Sequence, residues 1–274
     1  MDVREERSSQ VVEAKRHIRE VRDRILAIVT RMEDITLQQL PRIRADYALK
    51  IGCWEKALLE AEVAGRRARR RLALAQAQAN RGEAPEADAI EQKLDEEMAD
   101  WMLEVEAARA AYERAMSFLA GTSPLSKADS AELKRLYRTL MMRLHPDVCH
   151  ADGGEVTELF SLAQNAYRNG DVEMLRSLEA ASRHLEPQDD LADADDLAEL
   201  LRELELDRIE EGVMRERLQE LENGEEMRLG RLLADPEWVT ARTMELRRAV
   251  EGWERVRRDC DERLRALREG FDGR

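Results

Sequence analysis

The chain is 274 residues long, with 45 basic and 59 acidic residues giving a formal charge of −14; aromatics make up 4% and charged residues 38%. So few aromatics exclude a single thick globule, and so acidic a balance opposes duplex nucleic acid as a general partner, since phosphate binding needs a cationic face. Glu, Arg, Ala and Leu dominate and no alternating run of strand length stands out, so the expected class is all-α, with long helices or coiled coils. In chain order, the first element is a seam of Val11, Ala14, Ile18, Val21, Ile25, Ile28, Met32 and Ile35. Its steps alternate three and four, the a/d repeat of a coiled-coil helix over residues 1–40. Leu40-Pro41 then predicts a kink or a break, because proline removes a donor and disfavours helix before it.

Residues 41–121 carry two further seams. One runs from Tyr47 through Ile51, Trp54, Leu58, Gly65, Ala68 and Leu72 to Ala79; the other runs from Ile90 through Leu94, Met98, Trp101, Val105 and Tyr112 to Leu119. Asn80 to Pro85 separates them with turn residues, so the two are expected to fold back as an antiparallel hairpin. A four-four step at Leu94 and Met98 interrupts the heptads. The run Arg66-Arg67-Ala68-Arg69-Arg70-Arg71 resembles a nucleic-acid patch in isolation. The hairpin sets it opposite Asp95-Glu96-Glu97 and Asp100, and intramolecular pairing is the expectation.

The third segment spans residues 122–186. A helix over 130–144 puts Leu133, Leu136, Tyr137, Leu140 and Leu144 on one side and most of Lys134, Arg135, Arg138 and Arg143 elsewhere. Ser126 and Ser130 are both candidate caps. His145-Pro146 must end the helix, and a polar loop from Cys149 to Gly154 leads to a second apolar-periodic stretch with Val156, Leu159, Phe160, Ala163, Ala166 and Tyr167 facing inward. Gly170 is a plausible terminator, and Asp171 caps a short helix after it. Beyond the acidic linker at Pro187, residues 187–274 predict a C-terminal helical hairpin, Leu197 to Leu221 and Pro236 to Leu267, the latter capped by Asp235.

The stretch Glu132-Leu-Lys-Arg-Leu-Tyr-Arg-Thr-Leu-Met-Met-Arg-Leu-His-Pro-Asp147 resembles helix II and the loop of a J domain. The run Glu158-Leu-Phe-Ser-Leu-Ala-Gln-Asn-Ala-Tyr167 is similar to the start of that family's helix III. The resemblance covers about sixty residues. It implies docking on a DnaK-type chaperone and stimulation of its ATPase, with His145, Pro146 and Asp147 as the loop tripeptide and Lys134, Arg135, Arg138 and Arg143 as the basic face. Thr139 stands where the family commonly has a basic residue. The best counterpart of helix I is Tyr112 to Leu119, fused to the hairpin, and Asp171 to Leu185 replaces helix IV. No glycine- and phenylalanine-rich linker or zinc module follows.

Chemistry for an enzyme is not evident. His145, Cys149 and His150 lack a fourth ligand at zinc spacing, Gly153-Gly154 lacks the lysine of a phosphate loop, and the carboxylates fall on solvated helical faces. No metal or cofactor is expected. Cys53, Cys149 and Cys260 imply no disulfide framework, and no apolar run approaches the ~20 residues that span a bilayer, so a soluble, cytoplasmic protein without a membrane partner is expected. The reading is an all-α co-chaperone with elongated coiled-coil hairpins flanking a J-like module, the arms serving self-association or client binding. The alternative is a coiled-coil scaffold whose J-like segment is vestigial. The heptads leave open whether the seams pair within one chain or in a homodimer.

Overall fold

In the computed structural model the described residues are 3–121, 125–145, 154–185, 191, 194 and 196–272. Among them the chain is all-α, with no strand. The helices are α1 (Val3–Glu33), α2 (Leu40–Tyr47), α3 (Cys53–Asn80), α4 (Ala87–Glu97), α5 (Ala99–Gly121), α6 (Lys127–Leu144), α7 (Gly154–Asn169), α8 (Val172–Ala181), α9 (Leu197–Asn223), α10 (Glu225–Leu233) and α11 (Pro236–Asp272). Two π-helical stretches, Asp34–Gln39 and Ala48–Gly52, join α1 to α2 and α2 to α3.

Of the kink or break expected at Leu40-Pro41, no break occurs: helical residues continue through Pro41. The π-helical stretch just before it shifts the hydrogen-bond register, with the Leu40 N–H donating to the Ile35 carbonyl. Pro41 then falls at the second position of α2, and the wider turn before it accommodates the missing donor inside a continuous helix.

The chain divides into two compact units, each assembled from two distant stretches: Met1–Ile43 with Gly121–Leu229, and Arg44–Ala120 with Gly230–Arg274. This differs from the four consecutive segments expected. The C-terminal hairpin is the clearest correction, because α9 belongs to the first unit and α11 to the second. Complementary charge explains the first grouping. Arg22 of α1 bonds Asp207 at 3.1 Å and also Glu203, Arg24 bonds Glu211 at 2.8 Å, and Arg31 bonds Glu222 at 3.1 Å. The partners advance together along both helices, so α1 and α9 run parallel. Ile18, Val21 and Ile25 of the first seam, with Leu200 and Leu204, are buried in the same core as α6, α7 and α8.

In the second unit α11 also runs parallel to α3. Glu55 pairs with Arg242 at 3.3 Å, Arg71 approaches Asp261 at 3.9 Å, and Ala75 shares a core with Leu264. Gly65 lies directly against Trp253: a Cβ there would stand 2.7 Å from the indole Cε3. Against α3, α4 and α5 run antiparallel, with Glu60 opposite Arg109 and Arg67 opposite Glu91 and Asp95. Gly82 supplies the left-handed turn with φ 79°, and the helix is interrupted at Met98, where the heptads also falter. The arginine run is consumed internally. Arg67 bonds Glu91 and Asp95, each at 2.6 Å, Arg70 bonds Glu97 at 2.7 Å, and Arg71 bonds Glu91. Arg66 pairs with Glu62 and lies 4.7 Å from the Trp101 ring centre, while Arg69 lies 5.2 Å from that of Trp253.

Candidate partner-binding surface

The segment carrying the tripeptide is built from α6, α7 and α8. Ser126 is the cap of α6: its Oγ accepts the Asp129 N–H at 3.1 Å and donates to the Asp129 carboxylate at 2.7 Å. Leu133, Leu136, Tyr137, Leu140, Met141 and Leu144 form the buried stripe. Gly170, with φ 71°, ends α7 as expected, and the Asp171 carboxylate accepts the Met174 N–H at 2.9 Å to start α8.

Tyr137 and Tyr167 stack at 4.0 Å between ring centres, 13° from parallel, and join α6 to α7. Both are fully buried, so their hydroxyls need partners. The Tyr137 hydroxyl donates to Glu33, and the Tyr167 hydroxyl donates to Asp34 at 2.8 Å. Gln164 donates to Glu33 at 2.8 Å, and Gln38 donates to the Tyr167 carbonyl. Burial, together with these carboxylates, pushes both phenols far above their ordinary values. Burial also pushes the Asp34 carboxyl up. Hydrogen bonds from Tyr167 and Gln39 and the Lys134 ammonium outweigh it and hold the group below the ordinary carboxylate value.

The support under α6 and α7 therefore comes from the end of α1 and the π-helical stretch. Leu26, Val29 and Leu37 share their core. Tyr112 to Leu119, the counterpart anticipated for helix I, lies in α5 and belongs to the other unit. Glu33, Asp34, Gln38 and Gln164 were missed by sequence reasoning, which registered only the apolar seam. An acidic pair closing an otherwise apolar a/d run was the available signal.

His145 caps α6 at its C-terminus in an extended conformation, φ −73° and ψ 126°, as a residue before proline must. Its N–H donates to the Met141 carbonyl at 3.0 Å. The residue is 8% exposed, and its ring stands nearly perpendicular to that of Phe160, 5.3 Å between centres. Pro146 and Asp147 lie outside the described residues, as do Cys149 and His150.

The four basic residues have different environments. Lys134 reaches Asp34 at 3.2 Å, and Arg143, only 16% exposed, is bound to Glu179 of α8 at 3.3 Å. Arg135 is 65% exposed and approaches Glu132 at 4.0 Å. Arg138 is exposed and makes no ion pair among the described residues. Arg135, Arg138 and the half-exposed Met142 follow one another at helical spacing and form a cationic ridge with an apolar end. Met142 was not singled out from sequence, although it continues the three-four spacing of Arg135 and Arg138. Such a ridge can steer toward an acidic protein surface and then bury a small apolar contact.

Among the described residues no group of three His, Cys, Asp or Glu side chains could hold a metal ion, and no helix is long and apolar enough to cross a membrane. Comparisons with known proteins give no match to this chain: no family model, no curated protein and no solved structure.

Proposed function

We propose that the chain is a non-enzymatic co-chaperone that docks on a DnaK-type ATPase through its J-like segment and accelerates ATP hydrolysis there. The observation that carries this reading is the setting of His145. It is fixed in extended form at the end of α6 and packed on Phe160, about two turns beyond Arg138 of the exposed ridge. A rigid helix pair that presents a cationic ridge next to a proline-restricted loop loses little freedom on binding and orients its partner electrostatically. Pro146 and Asp147 enter through the resemblance, Asp147 as a hydrogen-bond acceptor for an arginine or backbone donor of the ATPase.

The test is ATP turnover by the cognate DnaK-type chaperone with and without the full chain. Wild type is expected to raise the rate, and Asp147→Asn and His145→Gln to abolish the increase. Because His145 is packed, a thermal melt of His145→Gln separates loss of docking from loss of fold. A wild-type chain that leaves turnover unchanged, or an Asp147→Asn chain that stimulates fully, would end this reading.

A scaffold whose J-like segment is vestigial is the second reading. It draws support from Lys134 and Arg143, two of the four basic positions, which are committed to Asp34 and Glu179 within the chain. The same assay separates the two, since a scaffold leaves ATP turnover untouched.

A further inference from the structure

We propose that the outer face of α9 is a self-association surface on which a second copy of this chain docks its own α9 in antiparallel orientation. This inference is independent of the chaperone reading. Helix α9 is apolar on two sides. Leu200 and Leu204 are buried in the core that includes α1. On the opposite side, Leu206, Ile209 and Val213 follow one another at steps of three and four and are 62%, 60% and 42% exposed. A water-facing seam of this spacing is the a/d pattern that a partner helix covers.

Charge identifies the occupant and its direction. Arg202 lies one heptad before Ile209 and Glu216 one heptad after it, on the same line of the helix. Neither makes an ion pair among the described residues. A parallel second copy would set Arg202 against Arg202 and Glu216 against Glu216. An antiparallel copy, related by a two-fold axis near Ile209, sets Arg202 of each chain beside Glu216 of the other, so the contact is favourable twice over. The same symmetry brings Leu206 toward Gly212 of the second copy. Nothing stands within 4 Å of where a Gly212 side chain would begin, so the leucine has room. A seam of three apolar residues per chain is small beside the ~1,200–2,000 Å² of a standard interface. The dissociation constant is accordingly expected on the order of 10 µM or weaker.

Sedimentation velocity of the full chain across a concentration series that brackets this value tests the proposal. Wild type is expected to move from monomer to dimer, and Ile209→Glu to remain monomeric with unchanged helicity. Arg202→Glu and Glu216→Arg should each weaken association several-fold, and the double variant should restore it. Both substitutions are at exposed positions, so folding is not at issue. A wild type that stays monomeric at every concentration would overturn the proposal and leave the face to another partner. Dimerisation that survives Ile209→Glu would overturn the surface, and a double swap that fails to restore association would overturn the antiparallel arrangement.

Discussion

Replacing Asp34 by alanine tests whether the π-helical stretch holds the tyrosine pair in place. The side chain is 9% exposed, and its carboxylate accepts hydrogen bonds from the Tyr167 hydroxyl at 2.8 Å and Gln39 at 2.9 Å, with Lys134 at 3.2 Å and Arg31 at 3.3 Å. Alanine leaves the Tyr167 hydroxyl, in a side chain only 1% exposed, without its acceptor. A buried hydrogen bond to a charged group is worth about 1.5–3 kcal/mol. The two cations are largely exposed and add about 0.5 kcal/mol between them after solvent screening. The expected loss is therefore roughly 3 kcal/mol, which moves a urea midpoint by ~1–2 M for a domain of this size. The protein carries its own internal control. Its four tryptophans, Trp54, Trp101, Trp238 and Trp253, all belong to the second unit. Far-UV circular dichroism follows both units, whereas tryptophan fluorescence follows only the second. Asp34→Ala should move the dichroism-detected unfolding of the first unit and leave the fluorescence transition in place. No shift in either signal, or an equal shift in both, would refute the reasoning.

Three further outcomes are expected. Gly65→Ala should destabilise the second unit by about 1–2 kcal/mol, seen as an earlier fluorescence transition: the overpacking against Trp253 outweighs the ~1 kcal/mol that alanine gains in an open helix. Acid should weaken the same unit through Glu91, whose carboxyl hydrogen bonds from Arg71 lower from 4.5 to about 2. Its folded value lies below its unfolded one, so its stabilisation is complete above about pH 4.5 and is lost as pH falls toward 2. The pair is partly solvated, so Glu91→Gln should flatten that pH dependence by only ~1 kcal/mol. Arg138→Ala should leave both unfolding transitions within about 0.5 kcal/mol of wild type and still reduce any stimulation of ATP turnover, because the side chain has no ion pair among the described residues.

Local rules made most helices and several of their ends legible. Ser126, Asp171 and Asp235 are short polar side chains whose oxygens accept amide hydrogens of the first turn, and Gly170 adopts a backbone conformation that other residues resist. The arginine run could be assigned to acidic partners because a short turn fixes which residues face each other. Partners across long separations were not legible. A heptad seam states that a helix has a covered side and says nothing about what covers it, so α1 with α9 and α3 with α11 could not be read from spacing. Pro41 was ambiguous for a different reason: a missing donor can end a helix or widen it, and packing chooses. At the candidate surface, the basic positions were legible as residues. Their availability was not, since it depends on Asp34 and Glu179, which lie far away in sequence.

The parallel pairing of helices has a consequence for synthesis. Arg22 and Glu203 are 181 positions apart, and Glu55 and Arg242 are 187 apart. A chain leaving the ribosome presents the seam of α1 long before α9 exists, and α3, although α4 and α5 fold back on it, waits for α11 to complete the second unit. Contacts of such separation close slowly. During that interval the nascent chain carries apolar stripes whose distant partners have not yet been made, and the order of synthesis leaves each unit open until its last helix arrives.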